Sequence, residues 1–160
     1  MMDRPITRTV RETHVTTTQI VLPNDTNQLG NLLGGTLMHW IDIVAAIAAQ
    51  RHAGKVCVTA SVDEINFHYP IRIGEIVELH ASVNRAFNTS MEIGVVVHAH
   101  GRPGDEPRRA NNAYLTFVAI DETGTPVKVP QVVPESETEQ RRFDDALKRR
   151  QLRLQHRPRK

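Results

Sequence analysis

The sequence is poor in aromatic residues, holds a single cysteine and contains no long apolar run. Trp, Tyr and Phe together make up 4% of its 160 residues, so Ala, Val, Ile and Leu must build the core. With Cys57 alone, no intrachain disulfide can form, which fits a reducing, cytoplasmic compartment. Cys57 falls in a β-rich segment and reads as a small core hydrophobe rather than a nucleophile. The longest apolar stretch, Ile43 to Ala49, is far too short to cross a bilayer, so no membrane insertion is expected. The opening residues, Met1 to Pro5, lack a charged start followed by an apolar run, so no signal peptide is expected. Common chemical signatures are missing too. There is no G-x-S-x-G elbow, no P-loop and no G-x-G-x-x-G turn. His98 and His100 share a strand face without a third ligand, so no metal site is expected.

The net charge of +2 is unevenly spread. Seven cations and no acids follow residue 147, which leaves −5 for residues 1 to 147. A nucleic-acid binder would spread basic charge over a folded face and interleave aromatics for stacking, so no nucleic-acid partner is expected.

The length suits one domain. Residues 1 to 14 are polar and are expected to be a flexible N-terminus. Residues 16 to 22 are β-branched and read as a strand. Pro23 to Asn27 is turn chemistry, and Leu29 to Gly35 is a glycine-rich loop. Thr36 to His52 predicts an alanine-rich helix closed by Gly54. Its apolar positions, Leu37, Met38, Ile41, Val44, Ala45, Ala48 and Ala49, cover most of the circumference, so the helix is expected to be buried. Alternating segments at 56–67, 76–85, 90–100 and 109–121 predict antiparallel strands. Pro126 to Pro134 should be extended. Ser136 and Glu139 form a capping box that starts a second helix reaching about Gln155. The layout is α+β: a sheet wrapped around one buried helix, followed by a charged terminal helix.

Asp42 sits inside the apolar helix. An unpaired carboxylate in a dry core costs several kcal/mol, so such a group is paired, protonated or functional. The glycine loop and first helical turn leave N–H groups at Gly34 and Gly35 unpaired, and these can receive a developing oxyanion. A carboxylate further along could deliver a water as general base, or attack directly. A structural ion pair with His39, or with a neighbouring arginine, would account for Asp42 equally well. Asn31 could donate to a substrate carbonyl oxygen, or could be a loop asparagine in left-handed geometry.

Several ordered motifs resemble the hotdog acyl-CoA hydrolases. They are Pro23 to Asn27, Leu29 to Gly35, Trp40-Ile41-Asp42, Val58 to Phe67, Arg85 to Glu92 and Val129 to Glu135. The likeness covers roughly residues 16 to 155. It implies a hotdog fold over residues 15–134, a long central helix wrapped by a curved antiparallel sheet, with a C-terminal basic helix and tail over 135–160. It implies hydrolysis of acyl-CoA to a carboxylic acid and coenzyme A without a cofactor, in a homodimer or trimer of dimers. A non-catalytic acyl-CoA-binding or regulatory protein is the alternative. The resemblance assigns Asn31 and Asp42 to catalysis, with Gly34 and Gly35 at the thioester. It assigns coenzyme A contacts to Ala60, Ser61, Val62, Thr89, Ser90, Met91 and Arg150. One departure is Leu33, where many animal members carry histidine.

Overall fold

The computed structural model describes residues 6–157. The expectation for the first five residues, and the last cations Arg159 and Lys160, lie outside them. The elements run β1 (Thr7–Thr9), α1 (Val10–Thr13), β2 (Val15–Ile20), a 3-10 turn (Pro23–Asp25), α2 (Gly34–Ala53), β3 (Val56–Phe67), β4 (Ile76–Ala86), β5 (Ser90–His100), β6 (Arg108–Ile120), β7 (Gln131–Val133) and α3 (Glu137–Gln155). Five strands form an antiparallel sheet in the order β2-β4-β5-β6-β3. Helix α2 packs on one face of it, and α3 lies across the other. The hotdog reading holds, with the long helix inside the sheet and a terminal helix outside it.

The core lies between α2 and the inward residues of the strands. Ile41, Val44, Ala45, Ala48 and Ala49 are fully buried against Leu79, Ile93, Val95, Leu115 and Phe117. The alanines let the sheet approach the helix closely. Gly54 takes a left-handed φ of 64°, and its N–H donates to Gln50, which ends α2. The expected all-round burial of α2 is not observed. Met38, Ile43 and Ile47 remain 45, 44 and 38% exposed, so one side of the helix is uncovered.

The N-terminal segment also differs from expectation. Residues 7 to 13, read as a flexible terminus, form β1 and α1. Strand β1 pairs in parallel with β7. The capping box that starts α1 is visible as Thr9-x-x-Glu12: Glu12 N–H donates to Thr9 Oγ1 at 3.4 Å, and Thr9 N–H donates to Glu12 Oε2 at 2.6 Å. Buried Thr13 Oγ1 then accepts from Val83 N–H at 2.9 Å, which ties the segment to β4.

Candidate active site

Two features frame the start of α2. Its N-cap, Leu33, offers no side-chain hydrogen bond, and Leu37 N–H is the first to close onto the helix, at 3.1 Å from Leu33 O. The N–H groups of Gly34 and Gly35 therefore point outward unpaired at the positive end of the dipole. A methyl group added at Gly35 would meet nothing within 4 Å, whereas one at Gly34 would touch the Phe67 ring at 3.6 Å. Beside Gly34, a cavity of about 280 Å³ is lined by Leu32, Leu37, Phe67, Tyr69 and Ile71, among others. It is mostly apolar and suits a hydrocarbon chain.

Asp42 is half-buried on α2. Thr59 Oγ1 of β3 donates to its Oδ1 at 2.7 Å, so its partner is this hydroxyl rather than His39 or an arginine. That bond occupies one carboxylate oxygen and leaves Oδ2 free to accept a proton. At 1.5 Å rise per residue, Asp42 lies about 10 Å along the helix from Gly35. A carbonyl held at Gly35 is thus about two helical turns from Asp42 of the same helix.

The loop before α2 holds two asparagines. Asn27 Oδ1 accepts from Leu29 N–H at 2.9 Å and Asn31 N–H at 3.1 Å. Asn27 is exposed, and with its oxygen engaged its amide N–H₂ is left as the donor. Asn31 is fixed through its backbone, which bridges to Arg72 and exchanges bonds with Asn27.

Strand β3 serves two sites because it is bulged. Thr59 pairs with buried Phe117 and faces α2, whereas Ser61 pairs with Thr116 on the outer face. The register shift at Ala60 inverts the parity between them. A second shift between Val62 and Glu64 repeats the device at Asp63.

On the outer face, a cleft of about 750 Å³ runs between β3, the start of β5 and α3. Ala60, Ser61, Val62, Thr89, Ser90 and Arg150, expected to contact coenzyme A, all line it. Met91, the seventh, does not. It is fully buried in the core and can offer only its backbone. Arg149, Arg153 and Arg157 join the lining and were not singled out from the sequence. Their charges are handled differently. Arg149 donates to buried Glu92 at 3.0 and 2.7 Å, and Arg153 to Asp63 at 2.8 Å. Arg150 stacks on the Phe87 ring at 4.5 Å and, like Arg157, has no carboxylate partner among the described residues. The cleft therefore carries unneutralised guanidinium suited to phosphate.

Cys57 takes no part. Burial pushes its thiol up to about 11, so it stays protonated and inert at neutral pH. No group of three metal-ligating side chains occurs among the described residues. No helix among them is long and apolar enough to cross a membrane.

The sequence profile of the thioesterase superfamily matches residues 29–103. Acyl-coenzyme A thioesterase 11 of Mus musculus is 44% identical over 142 residues, 89% of this chain and 24% of that protein. The chain thus spans about a quarter of that longer relative. The uncharacterized acyl-CoA thioester hydrolase YkhA of Bacillus subtilis is 42% identical over 149 residues, 92% of this chain and 86% of that one. The cytosolic acyl coenzyme A thioester hydrolase of Rattus norvegicus is 38% identical over 143 residues, 88% of this chain and 38% of that one. Among solved structures, an acyl-CoA hydrolase of Staphylococcus aureus in complex with butyryl coenzyme A and coenzyme A superposes with a TM-score of 0.88 at 38% identity, covering 92% of this chain and 90% of that one. An apo-hexameric acyl-CoA thioesterase superposes with a TM-score of 0.90 at 37% identity, covering 94 and 96%. The Staphylococcus aureus hydrolase is also solved with an aspartate, an asparagine and a threonine each changed to alanine. The asparagine stands 15 residues before that aspartate, and the threonine 17 after it.

Proposed function

The chain belongs to the acyl-CoA hydrolase family of the thioesterase superfamily, and from that premise we propose that it cleaves acyl-CoA to a carboxylic acid and coenzyme A. The observation that carries the reading is the pairing of an open helix start at Gly34 and Gly35 with a Thr59-held carboxylate at Asp42. The two lie too far apart on one helix to serve one carbonyl, so the site is composite. The glycine loop of one copy receives the thioester, and Asp42 of a second copy faces it. Counting the Staphylococcus aureus intervals from Asp42 reaches Asn27 and Thr59. We therefore place Asn27, whose amide is already oriented, ahead of Asn31 as side-chain donor to the carbonyl oxygen.

The chemistry follows from these positions. The Gly34 and Gly35 N–H groups and the asparagine amide polarise the thioester C=O. Asp42 Oδ2 accepts a proton from water as the water oxygen bonds to the carbonyl carbon. Negative charge moves to the oxygen held by the donors. Collapse breaks the C–S bond, and the leaving thiolate takes the proton from Asp42. In direct attack Asp42 Oδ2 bonds to the carbonyl carbon and the C–S bond breaks to release the thiolate; water then cleaves the resulting anhydride, which regenerates the carboxylate, frees the carboxylic acid and supplies the thiolate's proton. The acyl chain lies along the Leu37 and Phe67 cavity, and the coenzyme A phosphates meet Arg150. No cofactor is required by any step. The lone buried thiol suits a cytoplasmic setting.

Asp42→Ala should lower kcat at least about a hundredfold, the low end for losing a general base. A thiol-trapping assay across acyl chain lengths reads this. Wild-type protein that binds acyl-CoA saturably but releases no thiol would instead make it a binding protein.

A further inference from the structure

A second cavity, of about 330 Å³, opens on the outer face of the sheet over β4, β5 and β6, beside the N-terminal half of α3. It shares no lining residue with the Arg150 cleft and lies on the opposite face of the sheet from α2. His14, His80, His98, Arg109 and Arg142 line it, and no carboxylate does among the described residues. We propose that this cavity binds a small anion bearing two or more negative charges on phosphate or carboxylate groups.

Charge complementarity carries the proposal. Neither Arg109 nor Arg142 forms an ion pair or donates a side-chain hydrogen bond among the described residues. Two guanidinium forks without a carboxylate between them match the oxygens of a phosphate or carboxylate pair. The histidines are packed together, with His14 stacked on His80 at 5.8 Å and His98 edge-on to it at 5.4 Å. Burial holds His14 and His98 below their ordinary range, and like charge from His80, Arg51 and Arg109 adds to this. Glu78, which contacts His80 at 3.5 Å and His100 at 3.4 Å, offsets part of that repulsion from outside the cavity. An anion seated among them would remove the repulsion and draw protons onto the rings. His80 Nδ1 is engaged by Thr16 Oγ1 at 3.0 Å, which disfavours metal ligation. The volume falls at the small end of ligand pockets, about 300–1,000 Å³.

Titration calorimetry of the whole protein with inorganic pyrophosphate and with citrate, at matched ionic strength, tests this. The Arg150→Gln, Arg157→Gln double variant serves as background so that the free guanidinium groups of the other cleft do not contribute. One saturable site per chain is expected for pyrophosphate, citrate or both, and the arm that binds identifies the chemistry. Arg142→Gln and His98→Gln should each weaken it at least about tenfold, as for a lost charge-assisted hydrogen bond. Binding should be at least about fivefold tighter at pH 6 than at pH 8, with proton uptake seen as buffer-dependent heat. No saturable binding of either anion, binding untouched by both variants, or binding equal at the two pH values would each overturn the proposal.

Discussion

Asp42 is held by one short contact, the 2.7 Å bond from Thr59. That bond occupies Oδ1 and leaves Oδ2 as the oxygen that would meet the proposed water. Arg150 works differently, as a charge parked on the Phe87 ring with no acid to neutralise it among the described residues. Arg150→Gln should raise KM for acyl-CoA about tenfold, as for one lost charge-assisted contact to phosphate, and leave kcat alone. Pantetheine thioesters lack the nucleotide, and their KM should not move. A comparison of the two substrates checks this, and equal losses would remove Arg150 from the phosphate end. Asp42 was legible because an acid within an apolar helix breaks a pattern. Asn27 was harder to see: a turn asparagine that organises its own loop looks the same in sequence as one that also donates outward. Met91 lies on a strand that reaches the cleft, but alternation along the strand turns its side chain inward.

Among the elements, β3 and α3 together shape the outer cleft. The bulge at Ala60 lets one strand send Thr59 to the carboxylate and Ser61 to the outer cleft. Alternation predicts a strand over 56–67 but cannot show a parity change, because either face tolerates small residues there. Helix α3 was legible from its cap, and Ser136 does accept from Glu139 N–H at 3.2 Å. Glu139 Oε2, however, accepts from Glu135 N–H, one residue ahead of the expected partner. What docks α3 was not legible. Fully buried Glu92 accepts from Arg149 and from Asn84 at 3.0 Å, and Arg149 also covers the Tyr114 ring at 3.7 Å. Gly94 leaves room for this network, since a methyl group there would stand 2.7 Å from Asn84 Nδ2. Gly94→Ala should push Asn84 off Glu92 and cost about 1–3 kcal/mol, the range for a buried polar group left unpaired. Urea unfolding measures this, and an unchanged midpoint would show that the network yields without loss. The short strands β1 and β7 span three residues each, too few for any periodicity to register.

At the scale of the molecule, the described chain leaves an edge open. Strand β3 ends the sheet with one side unpaired, and Val56, Val58, Val62 and Phe67 on it are 43 to 59% exposed. The uncovered side of α2 adds Met38, Ile43 and Ile47. An unpaired edge beside apolar surface invites a second copy, and two-fold pairing would make each contact twice. In the proposed composite site the same contact would bring Asp42 to the glycine loop of its neighbour, so that assembly and catalysis would share one surface. Co-expression of Asp42→Ala with an Asn27→Ala, Asn31→Ala double variant tests this most directly. Each should be inactive alone. Random pairing puts one intact site in half the dimers, so the mixture should recover about a quarter of wild-type turnover. A mixture no more active than its two components would contradict a site shared between copies.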